Sequence, residues 1–292
     1  MSETLILSGK AAAESVYANL TGRIESIIGK GATPGLAAVL VGDNPASHVY
    51  VHSKTKRFLS MGLRSDTITF PADVPESQLL HTIQELNQDK KFHGILVQLP
   101  LPQQINSQNI IQSVLPEKDV DGFHPENVGL LTMGKPRFVP CTPKGIMRIL
   151  SHYRIDLSGK HVVVIGRSNI VGRPVSILAS LKASWANATT TVCHSGTTGI
   201  TDHTRKADVV ITAMGSPNYL KGDMLKNGAV VIDVGINRVD AENEKGYKLV
   251  GDVQWDSIQG IAGAATPVPG GVGPMTIAML VENTVEAAES AV

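Results

Sequence analysis

Cysteine is nearly absent from this chain. Cys141 and Cys193 are the only two in 292 residues and lie far apart, which excludes a disulfide framework and a four-thiolate zinc site. Aromatic residues are also scarce, at 4%. Net charge is missing altogether: 26 basic residues meet 26 acidic ones, for a formal balance of zero. The electrostatic footprint of a nucleic-acid binder or a peripheral membrane protein is therefore not there. No apolar run approaches the roughly 20 residues that cross a bilayer, and the start, Met1 to Lys10, has no signal-peptide h-region. These absences predict a soluble cytoplasmic protein with no nucleic-acid and no membrane partner. What is present is an ordinary globular balance, 42% hydrophobic and 18% charged, at a length that favours two cores over one. Glycine is generous at 28 residues and hints at close backbone approach to a ligand.

Short apolar runs alternate with amphipathic stretches. Leu36–Val41, Gly94–Leu99, Val162–Ile165, Thr189–Cys193, Asp208–Ala213 and Ala229–Val234 are strand-length and rich in Val, Ile or Leu. Continuous runs of this kind fit strands buried on both faces, as in parallel sheets. Between them, helices are predicted at Ser8–Gly29, Pro45–Met61, Pro75–Asn87, Pro143–Tyr153, Val171–Lys182 and Asp223–Asn227. The alternation implies βαβ units, hence an α/β fold. A domain boundary is expected between Phe138 and Ser158, where Gly159-Lys160-His161 opens a fresh βαβ run. Gly273 to Val292 reads as a helix after a Pro/Gly-rich turn, with a stripe of Met275, Met279, Leu280 and Val285 that needs a partner surface.

The second half carries a dinucleotide signal. His161-Val162-Val163-Val164-Ile165 runs into Gly166-Arg167-Ser168-Asn169-Ile170-Val171-Gly172 and then a helix. A strand, a glycine turn and a helix N-terminus aim free N–H groups and a positive dipole end at a diphosphate. The spacing departs from G-x-G-x-x-G, because Ser168 holds the second glycine position and Gly172 falls one residue late. A βα turn that binds nothing stays open as the plainer reading. The next strand ends at His194-Ser195-Gly196, without the acidic residue that accepts from an NAD ribose. Ser195 and the Arg167 guanidinium suit a 2′-phosphate instead, which favours NADP. Gly215 and Gly235-Ile236 follow two further strands, where cofactor passes in doubly wound sheets.

The first half carries a lysine on an apolar face. At about 100° per residue, Ser47, Tyr50, Val51, Lys54 and Phe58 fall in one sector roughly 100° wide, while His52 and Lys56 point elsewhere. Burial disfavours an ammonium and makes it usable for proton transfer near neutrality. A snorkelling lysine covering apolar surface is the alternative. Gln98 is a lone amide at the exit of the Gly94–Leu99 strand, where α/β sheets bind ligands. Asp119 and Asp121 lie two apart in the next loop: a carboxylate there suits an amino group beside a ring N–H, the edge a pterin presents, and a capped solvent turn is the plain reading. Calcium is excluded by the missing EF-hand ligands. His48 and His52 lack a third metal ligand, so no metal is expected, and both cysteines read as inert thiols.

Five motifs together, Tyr50-Val51-His52-Ser53-Lys54, Gly94-Ile95-Leu96-Val97-Gln98-Leu99-Pro100-Leu101-Pro102, Asp119-Val120-Asp121-Gly122, Gly166-Arg167-Ser168 and Pro267-Val268-Pro269-Gly270-Gly271-Val272-Gly273-Pro274-Met275-Thr276, give the chain its likeness. From about Ile6 to the final helix it resembles the bifunctional methylenetetrahydrofolate dehydrogenase/methenyltetrahydrofolate cyclohydrolase family. The resemblance implies two α/β domains around a cleft, the second a Rossmann-like doubly wound parallel sheet. Residues 1–142 with the helix 273–292 would bind folate, and 143–272 would bind NADP. It implies Lys54 as the catalytic lysine of hydrolysis with Tyr50 and Gln98 beside it, and Asp121 holding the pterin. Ser47, Leu99, Pro100, Gly273 and Pro274 would line the substrate site. Gly166, Arg167, Ser168, His194, Ser195, Gly215, Gly235 and Ile236 would contact the cofactor. A homodimer is implied as well. The stretch Leu181–Ala188 varies in length among relatives, so the end of the preceding helix is open. A monofunctional dehydrogenase and a non-catalytic nucleotide sensor remain the competing functions, although the sensor has no use for Tyr50, Lys54 and Asp121.

Overall fold

The computed structural model describes residues 3–243 and 246–292; the first two residues of the Met1–Lys10 stretch, and of the 1–142 domain, lie outside the described residues. In chain order the first elements are β1 (Leu5–Ile6), α1 (Gly9–Gly29), β2 (Gly35–Val41), α2 (Pro45–Ser60), β3 (Arg64–Phe70), α3 (Glu76–Gln88) and β4 (Gly94–Val97). Three helices follow, α4 (Ser107–Ser113), α5 (Pro125–Thr132) and α6 (Cys141–His152). Then come β5 (His161–Ile165), α7 (Gly172–Ser180), β6 (Thr189–Cys193), α8 (Ile200–Thr204), β7 (Val209–Thr212) and β8 (Val230–Asp233). The chain closes with β9 (Asn237–Asp240), β10 (Tyr247–Val250), α9 (Trp255–Ile258), β11 (Ala264–Ala265) and α10 (Val272–Ala291).

Two compact units divide these elements. One holds the described residues up to Glu14 with Thr142–Thr276, the other Ser15–Cys141 with Ile277–Val292. The first is built on a six-stranded sheet in the order β1-β11-β8-β7-β5-β6, and every pairing in it is parallel. Its inner strands β5, β7 and β8 are buried almost throughout because both faces and both edges are covered. β6 sits at an edge, and its Thr-rich run stays partly exposed. The core gathers Val163, Ile165, Val210, Val231, Leu220 and Ile258.

The second unit has a three-stranded parallel sheet, β3-β2-β4. Central β2 is wholly buried, and Ala37, Val39 and Val41 pack with Leu79, Ile83 and Ile95. Asn44 starts α2 by accepting from the Ala46 and Ser47 N–H groups at 3.0 and 3.1 Å, with Pro45 in the first turn. The C-terminal helix is the apolar stripe that needed covering, and Met275, Met279, Leu280 and Val285 are all buried.

Several elements differ from the sequence expectation. Asp223–Asn227 is no α-helix but a single 3₁₀ turn, Gly222–Met224, because the backbone turns extended at Leu225 and ends the run there. β3 is a strand without an apolar run: Arg64-Ser65-Asp66-Thr67-Ile68-Thr69-Phe70 lies at a sheet edge, and only Ser65 and Phe70 are buried in it. α7 ends at Ser180 rather than Lys182, and a turn with left-handed Trp185 and Asn187 leads into β6.

Candidate functional site

Helix α2 crosses from β2 to β3 with Ser47, Val51, Lys54 and Phe58 on its buried face. His52 and Lys56 are exposed, as the helical spacing requires. Lys54 is only 6% exposed, and its Nζ donates to Gln98 Oε1 at 3.0 Å. Gln98 follows the last residue of β4, so the ammonium stands at the carboxyl end of the sheet. The Gln98 amide is oriented by its own donation to the Leu99 carbonyl at 2.7 Å, which leaves Oε1 for the lysine. Leu99 is half-buried and Pro100 exposed immediately beyond it. Tyr50 is half-buried one turn before Lys54, and burial pushes its phenol up, so it stays protonated at neutral pH.

Asp121 belongs to the same cluster. Its carboxyl is pushed up by desolvation and drawn back down by the Lys54 ammonium and by a hydrogen bond from the Cys141 thiol. The loop that carries it runs beside β4: Ile95 N–H donates to the Lys118 carbonyl at 2.8 Å. Asp119 plays a different part and is not a solvated cap. It is buried and accepts from Phe123 N–H, His124 N–H and Asn127 Nδ2 at 3.2, 2.8 and 2.8 Å. Burial nevertheless pushes it up to about 6. Motif reading passes over Asn283 on α10, whose buried amide donates to the Val120 and Val139 carbonyls at 2.7 and 3.0 Å and so holds the backbone next to Asp121. Helical spacing puts it on the buried stripe one turn after Met279, but the sequence does not show what it bonds, since the Val120 and Val139 carbonyls lie more than 140 positions away.

In the other unit the expected cofactor residues all fall in turns at the carboxyl ends of four neighbouring parallel strands. Gly166, Arg167 and Ser168 follow β5, His194 and Ser195 follow β6, Gly215 comes after β7, and Gly235 and Ile236 follow β8. Gly166 has φ +129°, and a Cβ there would run into the Ala213 carbonyl; a Cβ on Gly172 would strike the carbonyl of Gly166. The irregular glycine spacing is thus a steric requirement of this turn. Ser168 Oγ accepts from Val171 and Gly172 N–H at 3.1 and 3.4 Å, so it shapes the turn at the start of α7. His194 is likewise engaged locally: its N–H donates to Thr197 Oγ1 at 2.9 Å and its Nδ1 accepts from Gly196 N–H at 3.1 Å. Arg167 and Ser195 are exposed. Gly273 is less crowded than Gly166 or Gly172, since an added Cβ would only touch Ile236 Cδ1 at 3.9 Å; Pro274 is half-buried beside it.

Two buried carboxylates near these turns, Asp233 and Asp252, belong to none of the motifs. Asp233 closes β8 and accepts from Gly235, Asp252 and Val253 N–H groups, while burial pushes it up to about 6. Among the described residues no cluster of three or more His, Cys, Asp or Glu could hold a metal, and no helix is long and apolar enough to cross a membrane. Both cysteines are buried.

The arrangement suits a basic group acting beside one ligand and a phosphate-bearing dinucleotide laid over the other sheet, and known proteins carry the same combination. Residues 7–121 match the family described as tetrahydrofolate dehydrogenase/cyclohydrolase, catalytic domain, and residues 140–292 match its NAD(P)-binding domain. The chain is 54% identical to bifunctional protein FolD 2 of Geobacter sulfurreducens, over 98% of this chain and 97% of that one. It is 50% identical to bifunctional protein FolD of Halobacterium salinarum, over 98% and 96%. Among solved structures, the bifunctional FolD enzyme of Campylobacter jejuni aligns with a TM-score of 0.93 at 46% identity, covering 99% of this chain and 100% of that one. The Trypanosoma brucei methylenetetrahydrofolate dehydrogenase-cyclohydrolase, solved with NADP cofactor and an inhibitor, aligns at 0.94 and 38% identity, covering 100% and 99%.

Proposed function

The chain belongs to the tetrahydrofolate dehydrogenase/cyclohydrolase family, and on that basis we propose how its own residues divide the work. It is a bifunctional enzyme of one-carbon metabolism. It oxidises 5,10-methylene-tetrahydrofolate to the 5,10-methenyl cation with NADP+ and then hydrolyses that cation to 10-formyl-tetrahydrofolate. The observation that carries the residue assignment is the buried Lys54 ammonium bonded to Gln98 at 3.0 Å.

The turns after β5 and β6 fit NADP: a Gly166–Gly172 cradle that any Cβ would fill, the start of a nine-residue helix, and an exposed Arg167 and Ser195 with no carboxylate between them. When bound, NADP+ supplies the hydride acceptor. Loss of hydride from the methylene carbon is driven by lone pairs on the two flanking nitrogens, so the protein's part is to position the substrate. We assign Asp121 to the pterin edge, and Ser47, Leu99, Pro100, Gly273 and Pro274 to substrate contacts. Gly166, Arg167, Ser168, His194, Ser195, Gly215, Gly235 and Ile236 are assigned to the cofactor, with His194 and Ser168 acting by shaping their turns.

Hydrolysis moves protons. Water adds to the methenyl carbon and loses one proton to give the neutral carbinol; the carbinol O–H then loses the second proton as the carbon–N5 bond opens and N5 gains one, leaving the formyl group on N10. Of the two protons that leave the water oxygen, one ends on N5 and one is released as the positive charge is lost, and Lys54 is the relay that carries them, held by Gln98 and flanked by the protonated Tyr50 phenol. We assign folate binding to residues 1–142 with 273–292, and NADP binding to 143–272. We further propose a cytoplasmic homodimer.

The test is an absorbance assay with methylene-tetrahydrofolate and either cofactor. The expected result is NADP+ reduction, strongly preferred over NAD+, followed by loss of the methenyl chromophore faster than its uncatalysed decay. No reduction with either cofactor, or decay at the uncatalysed rate, would refute the reading.

A further inference from the structure

The strand order β8-β7-β5-β6 sets four carboxyl-end turns in a row. From β6 to β8 the row spans three strand spacings, roughly 14 Å. Arg167 and Ser195 stand at its β5–β6 end. The far end of a dinucleotide lying along it therefore meets the turns after β7 and β8. Those two turns, Ala213-Met214-Gly215-Ser216 and Val234-Gly235-Ile236-Asn237, contain no charged side chain of their own.

What holds them in place is Asp252. It is fully buried, and its carboxylate receives four donors. Oδ2 accepts from Met214 and Gly215 N–H at 2.8 and 3.1 Å, and Oδ1 accepts from Ser216 N–H and Asn237 Nδ2 at 2.9 and 3.0 Å. Three successive backbone N–H groups pointed at one carboxylate fix the course of the turn, because any other course strands a buried charge. Asp252 is itself pinned: its N–H donates to Asp233 Oδ1 at 3.0 Å, and the next residue, Val253, donates to Asp233 Oδ2 at 3.0 Å. Gly235 completes the fit, since a Cβ there would collide with the Asp252 carboxylate. One side chain thus ties both turns to the end of β8, and the β9–β10 hairpin leaves and returns through the same tie, with Asn237 opposite Val250.

We infer that Asp252 is a positioning residue for the nicotinamide end of the cofactor site, acting through the 214–216 turn and Asn237. The inference rests on the NADP reading above. Asp252→Asn keeps the volume but replaces one acceptor oxygen by an NH2 group, which leaves two of the four donors unpaired whichever way the amide is turned. Calorimetric titration of the full-length protein with NADP+ is expected to show a Kd raised about tenfold or more, with the KM for NADP+ following it. Hydrolysis of the methenyl compound, assayed without NADP+, is expected to hold within about twofold of wild type, since the Lys54 cluster lies in the other unit. A Kd unchanged in the variant, with or without a lower Tm, overturns the inference, because a merely structural carboxylate would change Tm alone. If that variant does not fold, Asn237→Ala removes one of the four bonds and is expected to raise the Kd about threefold; an unchanged Kd there overturns the inference equally. Titration of the wild-type protein separates the two possible failures. No binding there sinks the cofactor reading and this inference with it, whereas wild-type binding that persists undiminished in the variants sinks this inference alone.

Discussion

Replacing Lys54 by methionine separates catalysis from stability more cleanly than alanine does. The lysine stem lies on the buried stripe with Val51 and Phe58. Alanine would strip about three methylenes from that stripe, at about 0.8 kcal/mol each, and confuse a lost proton relay with lost packing. Methionine keeps most of the length and removes only the ammonium. Its hydrogen-bond partner Gln98 is neutral and half-buried, and the Asp121 carboxyl, which the ammonium draws down, answers the lost charge by holding a proton more readily. Folding stability is therefore expected to stay within about 1 kcal/mol of wild type, or to rise, because a buried cation has been replaced by an apolar group. The rate responds quite differently. A positioned acid–base group contributes about 10²–10⁴-fold, equivalent to roughly 3–5 kcal/mol of barrier. Decay of the methenyl chromophore should slow by that factor, while NADP+ reduction holds within about threefold because hydride loss needs no side-chain proton. The variant also removes the positive charge that draws the Asp121 carboxyl down, so the acid limb of the dehydrogenase pH profile should move to higher pH. A folded Lys54→Met protein that hydrolyses the methenyl compound at the wild-type rate would refute the assignment.

Other expectations follow from the same geometry. Arg167→Ala removes the guanidinium assigned to the 2′-phosphate, so the KM for NADP+ should rise about 10–100-fold with little change for NAD+; equal losses on both cofactors would count against the phosphate contact. Gly166→Ala forces a side chain into φ +129° against the Ala213 carbonyl, and should abolish NADP+ binding while hydrolysis survives; retained NADP+ affinity would contradict the cradle. Asp119 titrates at about 6 in the folded protein, mainly through desolvation, against about 4 when unfolded. Because the folded state holds the proton more tightly, the stability this group lends is complete below about pH 4 and is lost, up to roughly 3 kcal/mol, as pH rises through about 6. The stability advantage of wild type over the non-titrating Asp119→Asn variant, from denaturant unfolding, should therefore shrink between about pH 4 and 7. An advantage that grows toward neutrality would mean that the Asn127, His124 and Phe123 donors outweigh desolvation.

The fold class is legible because the inner strands of both sheets must be apolar along their whole length: β2, β5, β7 and β8 announce themselves as continuous Val, Ile, Leu and Ala runs. An edge strand with an open face escapes that constraint, although the other edge strand of the smaller sheet, β4, is wholly buried. β3 satisfies only one face and reads as polar, so the apolar-run criterion has no hold on it. The 3₁₀ turn at Gly222–Met224 reads as a helix from sequence because a segment this short has no periodicity to tell the two apart, and tertiary packing decides it.

The same division runs through the site. Helical periodicity alone places Lys54 on a buried face, since 3.6 residues per turn leaves Val51, Lys54 and Phe58 no choice but to share a stripe. The strand-turn-helix order likewise locates Gly166, and the missing acid after β6 indicates the cofactor's phosphate. Folding alone brings Gln98 to the lysine, 44 positions away, and Asn283 to the Asp121 loop. It also aims Asp252 at a turn 36 to 38 positions earlier. Side-chain periodicity is a local property of the backbone and can be read one element at a time, whereas a hydrogen bond between distant segments exists only once the sheets between them have set their register.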